Sequence, residues 1–506
     1  MPALSHRLRP LRTTAVATAI ATAIATGGAL SLLALGADDP VPWPGGTPPT
    51  ETALATEITQ ALAHDDERRR ARVLDAWQPG TEAARFCVLQ EEIDTGQREL
   101  DALLEVGAAL FHHEFRTTDG YGSAGMPVPL QRIHTGVRGG LDSFSCAGCH
   151  SLGGAYGAGA APRTVFLLGD GDDIESAVAR NPPSLLGSGF VQALAAEMTE
   201  DLQRIRANAI EQAMATAQSI EAELVSKGVH FGVLQAHPDG TWDHSSVSGL
   251  DPDLVVKPFG WKGEFASLRR MIEHEARVHF GIQSHVLALR HQVQPDPARL
   301  GSGPDGADPD DDGVTRELEE GTLTATALHL ALLPAPQIIP PHDAELATRW
   351  ARGSALFDQI GCNECHRREL PLSGPAWEEH PDTTEGPPVT IDLLQDGEPP
   401  TAGLRVQLFS DLRRHDMGPA LADPHEQPAD AIAPGVFVTR PLWGMAESPP
   451  YLHDGRAATI PEAILAHGGE ALAAQQAFTE LPPPSQADLH VFLLSLSTAP
   501  RLRVLR

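Results

Sequence analysis

Apolar and polar positions first fall into a helical rhythm near Thr52, and the rhythm continues to about Trp77, which predicts one amphipathic helix. A second stretch of the same period runs from about Arg98 to Phe115. Residues 190–227 are rich in Ala, Glu and Gln at helical spacing and predict one long helix or two. From Val229 to Asp243 the period changes to two, with a turn at Pro238-Asp239-Gly240, so a hairpin is expected there. Helical spacing returns before Phe280, over Thr322 to Leu333, and from Ser485 to Leu496, where Ser485 and Asp488 read as a capping pair. The expectation is a mainly α chain with loop and small β insertions.

One piece of this pattern occurs twice. Gly107-Ala108-Ala109-Leu110-Phe111 matches Gly353-Ser354-Ala355-Leu356-Phe357. A glycine lets one helix cross another closely, and the Phe four residues on falls on the same face. Each copy precedes a Cys-x-x-Cys-His motif: Cys146, Cys149 and His150 in the first, Cys362, Cys365 and His366 in the second. Two thiols at this spacing add to the vinyl groups of one haem, and the adjacent histidine becomes the iron's proximal ligand. A zinc site prefers a more open spacing, and a thioredoxin-type pair needs no histidine. Two covalent c-type haems are therefore expected, with His150 and His366 as iron ligands. The two repeats predict two cytochrome c-like units, over 96–300 with insertions and over 345–506. A Gly-rich insertion separates Phe111 from Cys146, whereas Phe357 lies just before Cys362. Gly153 to Gly159 is expected to wrap a haem edge.

The motifs use four of the five cysteines; Cys87 reads as a small apolar residue. Arg7, Arg9 and Arg12 precede an uncharged Ala/Thr/Leu run that ends before Asp38, so 1–37 is expected to be a signal peptide or anchor. Residues 38–95 then form a linker and an N-terminal helix. Export to the periplasm is the expected address, with membrane attachment only if the leader is uncleaved. The formal net charge of −30 excludes nucleic acid as a partner and would steer a basic redox partner toward the chain. Within a connector over 301–344, Asp308 to Glu319 fits a twelve-residue calcium loop. Asp308, Asp310, Asp312, the Val314 carbonyl and Glu319 supply its oxygens, and Gly313 permits the turn. Calcium is expected there.

The two haem motifs, with Pro441-Leu442-Trp443-Gly444 and Tyr451-Leu452-His453-Asp454-Gly455-Arg456-Ala457, resemble the bacterial di-haem cytochrome c peroxidases and the methylamine-utilisation di-haem enzymes. Pro258 to Gly263, Asp308 to Gly313, His415 to Pro419 and Ala466 to Ala471 are more similar still to the di-haem peroxidase branch sometimes labelled thiol oxidoreductases. The resemblance implies that peroxide reacts at the first haem while the second carries electrons and has two axial ligands. In those peroxidases the second distal ligand falls 14 residues beyond the histidine of the Tyr-x-His-Asp-Gly motif. Here that position is His467, where they use Met, so the second haem is expected to be bis-histidine and of lower potential. Met417 and Met445 are the competing ligands. His453 is expected to bind a haem propionate. No histidine follows His150 until His230, so the first haem is expected to be open, or capped by Tyr156 or His279. Glu197 and Glu200 are the candidate catalytic acids, and Trp261 is a candidate electron relay.

The resemblance implies a periplasmic di-haem peroxidase served by a small soluble electron-transfer protein of cytochrome c or cupredoxin type. Its rivals are an oxidase or oxygenase acting on a protein or organic substrate, and a pure electron-transfer cytochrome.

Overall fold

The computed structural model describes residues 86–122, 133–134, 137–138, 141, 143–159, 165–167, 178–286, 314, 317–336, 338, 340–382, 388–394, 403–423 and 432–497. The expected leader, the helix at 52–77 and the carboxylates Asp308, Asp310 and Asp312 lie outside these residues. Among the described residues helix makes up 41% and strand 15%, so the mainly α reading holds, with strands confined to small sheets. No described helix is long and apolar enough to cross a membrane.

The helices, in chain order, are α1 Gln90–Asp94, α2 Leu100–His112, α3 Cys146–Cys149, α4 Ser188–Thr216, α5 Leu268–Glu275, α6 Glu320–Ala331, α7 Ala344–Gln359, α8 Ile460–Ala466, α9 Leu472–Glu480 and α10 Pro483–Leu494. In α2, Leu103, Gly107, Leu110 and Phe111 recur at helical spacing and are all buried. The N-terminus of α7 is closed by the Asp343 carboxylate, which accepts from the amides of Glu345 and Leu346.

The repeated glycine marks two equivalent crossings. A side chain at Gly107 would stand 2.5 Å from the Ala325 carbonyl oxygen of α6. A side chain at Gly353 would fall against the Asp488 carbonyl oxygen of α10. In each crossing the following Phe, Phe111 or Phe357, is 1% exposed, a burial that contributes about 2–3 kcal/mol. The helix expected as part of the connector, α6, thus stands to α2 as α10 stands to α7. Asp488 does not cap a helix here. The N-cap of α10 is Pro482, and Asp488 instead accepts from Arg349 (2.8 Å) and Arg352 (2.6 Å) across the second crossing.

The run expected as helix over 190–227 breaks at Thr216. Ala217 turns left-handed, and Ile220–Ser226 pairs antiparallel with Val229–Ala236, which pairs in turn with Trp242–Asp243. Lys227 and Gly228 both have positive φ and make the tight two-residue turn between the first two strands. Leu224 and Ser226 face inward in alternation, so period two won over the high helix propensity of the Ala and Glu around them. The expected hairpin at Pro238-Asp239-Gly240 is present as the second turn of this sheet.

The largest core gathers α2, α4, this sheet and α6, and continues into Leu370, Leu372, Trp377, Ile391, Val406 and Leu408. These last come from two hairpins that follow the second Cys-x-x-Cys-His motif: Leu370–Leu372 with Leu404–Val406, and Ala376–Glu379 with Val389–Asp392. An insertion in the C-terminal half therefore packs on the N-terminal half. The C-terminal half keeps a separate core of Phe357, Phe409, Ile460, Phe478, Leu489 and Phe492.

Candidate haem sites and the space between them

Each Cys-x-x-Cys-His motif follows the Phe end of its crossing helix. In the first, Ser145 Oγ accepts from the Gly148 amide at 3.2 Å and starts the single turn α3, which brings Cys146 and Cys149 to one side. The His150 ring is fixed by Nδ1, which donates to the Pro183 carbonyl at 3.0 Å and is 3.3 Å from that of Gly157. In the second, His366 Nδ1 donates to the Phe409 carbonyl at 3.0 Å. Phe409 is fully buried and has φ +55, a conformation that costs a non-glycine residue about 1–3 kcal/mol and that aims its carbonyl at the ring. Phe357 packs edge-on against it, with centroids 5.7 Å apart. In both motifs a backbone carbonyl fixes the tautomer and leaves Nε2 free to bind a metal.

A cavity of about 490 Å³ is lined by Cys362, Cys365, His366, His467, Met417 and Met445. His467 follows α8 directly, and its Nδ1 donates to the Ala463 carbonyl at 2.7 Å, again leaving Nε2 free. Burial, and next the charge of the neighbouring His467, lower His366 to about 4. Burial likewise lowers His467. Two neutral imidazoles with free Nε2 thus share one cavity, as an iron held between two histidines requires. Met417 and Met445 line it as well.

The loop carrying His467 is held by Glu470, whose Oε1 accepts from the Asp416 amide at 3.0 Å. Its Oε2 lies 2.8 Å from His415 Nδ1, while His415 Nε2 lies 2.9 Å from Asp411. Burial works against charge on His415, but the Asp411 hydrogen bond and the Cys365 sulfur outweigh it and raise the ring to about 10. Cys365, Asp411 and His415 come close enough to suggest a metal site. A histidine donating both N–H groups to carboxylates has no lone pair for a metal, so this cluster is an ion-paired clasp. Burial pushes the Cys146 and Cys362 thiols up to about 12, so both are neutral at ordinary pH.

Around His150 the structure departs from the expected acids. Glu197 pairs with Lys227 and accepts from the Ser373 amide at 2.9 Å, and Glu200 is exposed on α4. Both serve the helix surface. The carboxylate that does approach the first site is Glu275 at the end of α5, whose charge is felt by Cys146 and His150. Its Oε2 lies 2.5 Å from His279 Nε2, in the π-helical turn Ala276–Phe280. Burial raises the Glu275 carboxyl, but His279 and next His274 bring it down to about 2. The Tyr156 hydroxyl is hydrogen-bonded to His329 Nε2 at 2.8 Å. Sequence spacing missed Glu275; its only signal was the Glu-x-x-x-His step to His279 on one helical face.

Between the two motifs lies a polar seam. Arg180 makes a two-pronged pair with Asp423 at 2.8 and 2.9 Å, Lys262 reaches the same carboxylate at 3.0 Å, and His453 Nε2 is 3.5 Å from it. Trp261 Nε1 donates to the Asn181 carbonyl at 2.8 Å, two residues before the carbonyl that fixes His150. Trp261, His453 and Arg440 all line the cavity that holds His366. The Arg440 Nε and the Asn181 Oδ1 have no partner in this seam. An unpaired buried guanidinium nitrogen beside an apolar cavity suits a carboxylate of a large flat cofactor. The cavity, the fixed imidazoles, the neutral thiols and this nitrogen fit haem.

Of the calcium-loop ligands, Val314 and Glu319 are described, and Glu319 is buried and forms the N-cap of α6.

Each helical crossing delivers a Cys-x-x-Cys-His turn whose histidine is fixed by a backbone carbonyl, one arrangement built twice over. Residues 337–496 match the family described as "Di-haem oxidoreductase, putative peroxidase". The resemblance drawn from the motifs therefore holds over the segment that contains His366, His453 and His467. Among solved structures, the chain is similar to Kuenenia stuttgartiensis hydrazine synthase, pressurised with xenon, at 17% identity, with TM-score 0.27, over 53% of this chain and 78% of that one. It is also similar to a MauG-like protein associated with microbial copper homeostasis, at 18% identity, with TM-score 0.25, over 47% of this chain and 68% of that one. No curated protein matches.

Proposed function

We propose that the chain is an exported, periplasmic di-haem peroxidase with two covalent c-type haems, one on Cys146, Cys149 and His150, the other on Cys362, Cys365 and His366. The haems would supply the redox chemistry, with peroxide reduced at the first and electrons entering through the second. The observation that carries this reading is the difference between the two histidine sites. His467 lines one cavity with His366 and has its Nε2 free, whereas His279, whose charge is felt by His150, is engaged through Nε2 by Glu275.

The residues divide accordingly. His467 closes the second site, and Glu470 and His415 hold its loop. At the first, Glu275 and His279 form a paired acid and base able to hold or move one proton beside the open position. Trp261 would relay electrons between the sites, a role supported by its tie to the loop that fixes His150 and its place in the lining of the His366 cavity. Arg440 and His453 would receive cofactor carboxylates. Calcium at 308–319, ending on the buried Glu319, would brace the start of α6. The net charge of −30 suits a small basic electron donor of cytochrome c or cupredoxin type.

The test is catalytic. Hydrogen peroxide added to the reduced holoprotein with a reduced cytochrome c should be consumed with two donor electrons per peroxide. Glu275→Gln should lower kcat by about 10²-fold or more while both haems stay bound. Intact haems that leave peroxide untouched would refute the reading.

A further inference from the structure

Tyr156, one of three tyrosines, follows the first motif on the Gly-rich loop. Its φ of +64 places a large side chain in a conformation that persists only where the surroundings impose it. They do so here: its carbonyl accepts from the Leu185 amide at 2.9 Å and faces Ser184 Oγ at 3.5 Å, and the next carbonyl, of Gly157, faces His150 Nδ1. The backbone that holds the haem ligand thus also sets the tyrosine ring. That ring packs on Phe111 with centroids 4.5 Å apart, and Phe111 lies 6.3 Å from the His150 ring. On its far side the hydroxyl meets His329 Nε2 of α6 at 2.8 Å, and the exposed His112 stands edge-on at 5.7 Å. Burial holds the phenol up and, with the charge of His112, holds His329 down. Phenol and neutral imidazole thus share one hydrogen bond, in which the phenol donates when the His329 proton sits on Nδ1.

A phenol bonded to a neutral base is the arrangement that permits one-electron oxidation at moderate potential, because the proton leaves as the electron does. We propose that Tyr156 and His329 form a redox-active pair that carries oxidising equivalents from the first haem site, by way of Phe111, toward the surface at His112. This rests on the reading that peroxide oxidises the first haem. In the step, the Tyr156 O–H bond breaks. Its electron would pass to the oxidant that peroxide generates at the first site, which would take up one equivalent, and its proton would move to His329 Nε2. The products are a neutral tyrosyl radical and an imidazolium. An external one-electron donor restores the phenolate electron, and the His329 proton returns.

The test is electron paramagnetic resonance on the full-length ferric holoprotein, frozen within milliseconds of mixing with hydrogen peroxide. A tyrosyl signal is expected, narrowed when the protein is made with ring-deuterated tyrosine. It should vanish in Tyr156→Phe and persist in the double variant Tyr121→Phe/Tyr451→Phe, which leaves Tyr156 alone. In His329→Leu the yield should fall at least tenfold although peroxide still changes the haem spectrum. A haem response with no tyrosyl signal, or a signal unchanged in Tyr156→Phe or absent from the double variant, overturns the pair and leaves the peroxidase reading standing. Haems that do not respond to peroxide at all overturn both.

Discussion

Replacing His467 by Gly removes an imidazole that faces His366 across the cavity and whose Nδ1 is already committed to the Ala463 carbonyl. The ferric spectrum of that haem should turn partly high-spin, and His467→Met should raise its potential while leaving the other haem unmoved. A sulfur-to-iron charge-transfer band in the wild type, lost in Met417→Ala, would transfer the role to Met417. His467 was singled out by the 14-residue step from His453 that the resemblance to the peroxidases implies, and α8 spans half of that step here. The groups that aim these rings were not legible. Phe409 and Pro183 act through backbone carbonyls, which every residue possesses, and only the fold shows that Phe409 adopts a left-handed conformation to do so. Glu197 and Glu200 misled for the converse reason. A carboxylate close in sequence to a haem loop can rotate away on a helix, and here Lys227 and solvent claim them.

At the scale of elements, the repeated glycine predicts a cost. Gly353→Ala pushes a methyl group into the Asp488 carbonyl, backbone against backbone, and the crossing of α7 and α10 must open. Thermal unfolding should show a loss of about 1–3 kcal/mol, with haem retention falling alongside it. An unchanged melting temperature would mean that the crossing has slack. The glycine was readable from its repetition, and so was the Phe that follows. The strand Ile220–Ser226 was hidden by composition, since its Ala and Glu residues favour helix. Its pairing with Val229–Ala236 depends on the turn at Lys227-Gly228 and on burial of Leu224. The helix α6 showed its period but not its role, because its partner α2 lies some 200 positions earlier in the chain.

For the whole molecule, the halves are joined by charged contacts as well as by the shared core. Asp251 pairs with Lys257 at 2.6 Å and with Arg414 from the C-terminal half at 2.9 Å. Burial pushes its carboxyl up, but the Arg414 guanidinium and next the Lys257 ammonium outweigh that and bring it down to about 2, from an ordinary value of 3.8. A depressed acid contributes its stability in full above the unfolded value and loses it as pH falls through the folded one. Asp251→Asn should therefore lower the melting temperature at pH 6 and make little difference near pH 2. An equal effect at both would show that the carboxylate charge contributes nothing.

The asymmetry of the two sites belongs to the whole molecule: among the described residues, His366 shares its cavity with a second imidazole, whereas His279, whose charge reaches His150, is held by Glu275. Cyanide added to the oxidised holoprotein measures this directly, because the anion binds ferric haem only where a position is open or weakly held. The account predicts saturation at one cyanide per chain, with one haem converted and the other spectrum unchanged, in the wild type and in Met417→Ala alike. Binding at neither haem, or at both with similar affinity, would contradict it.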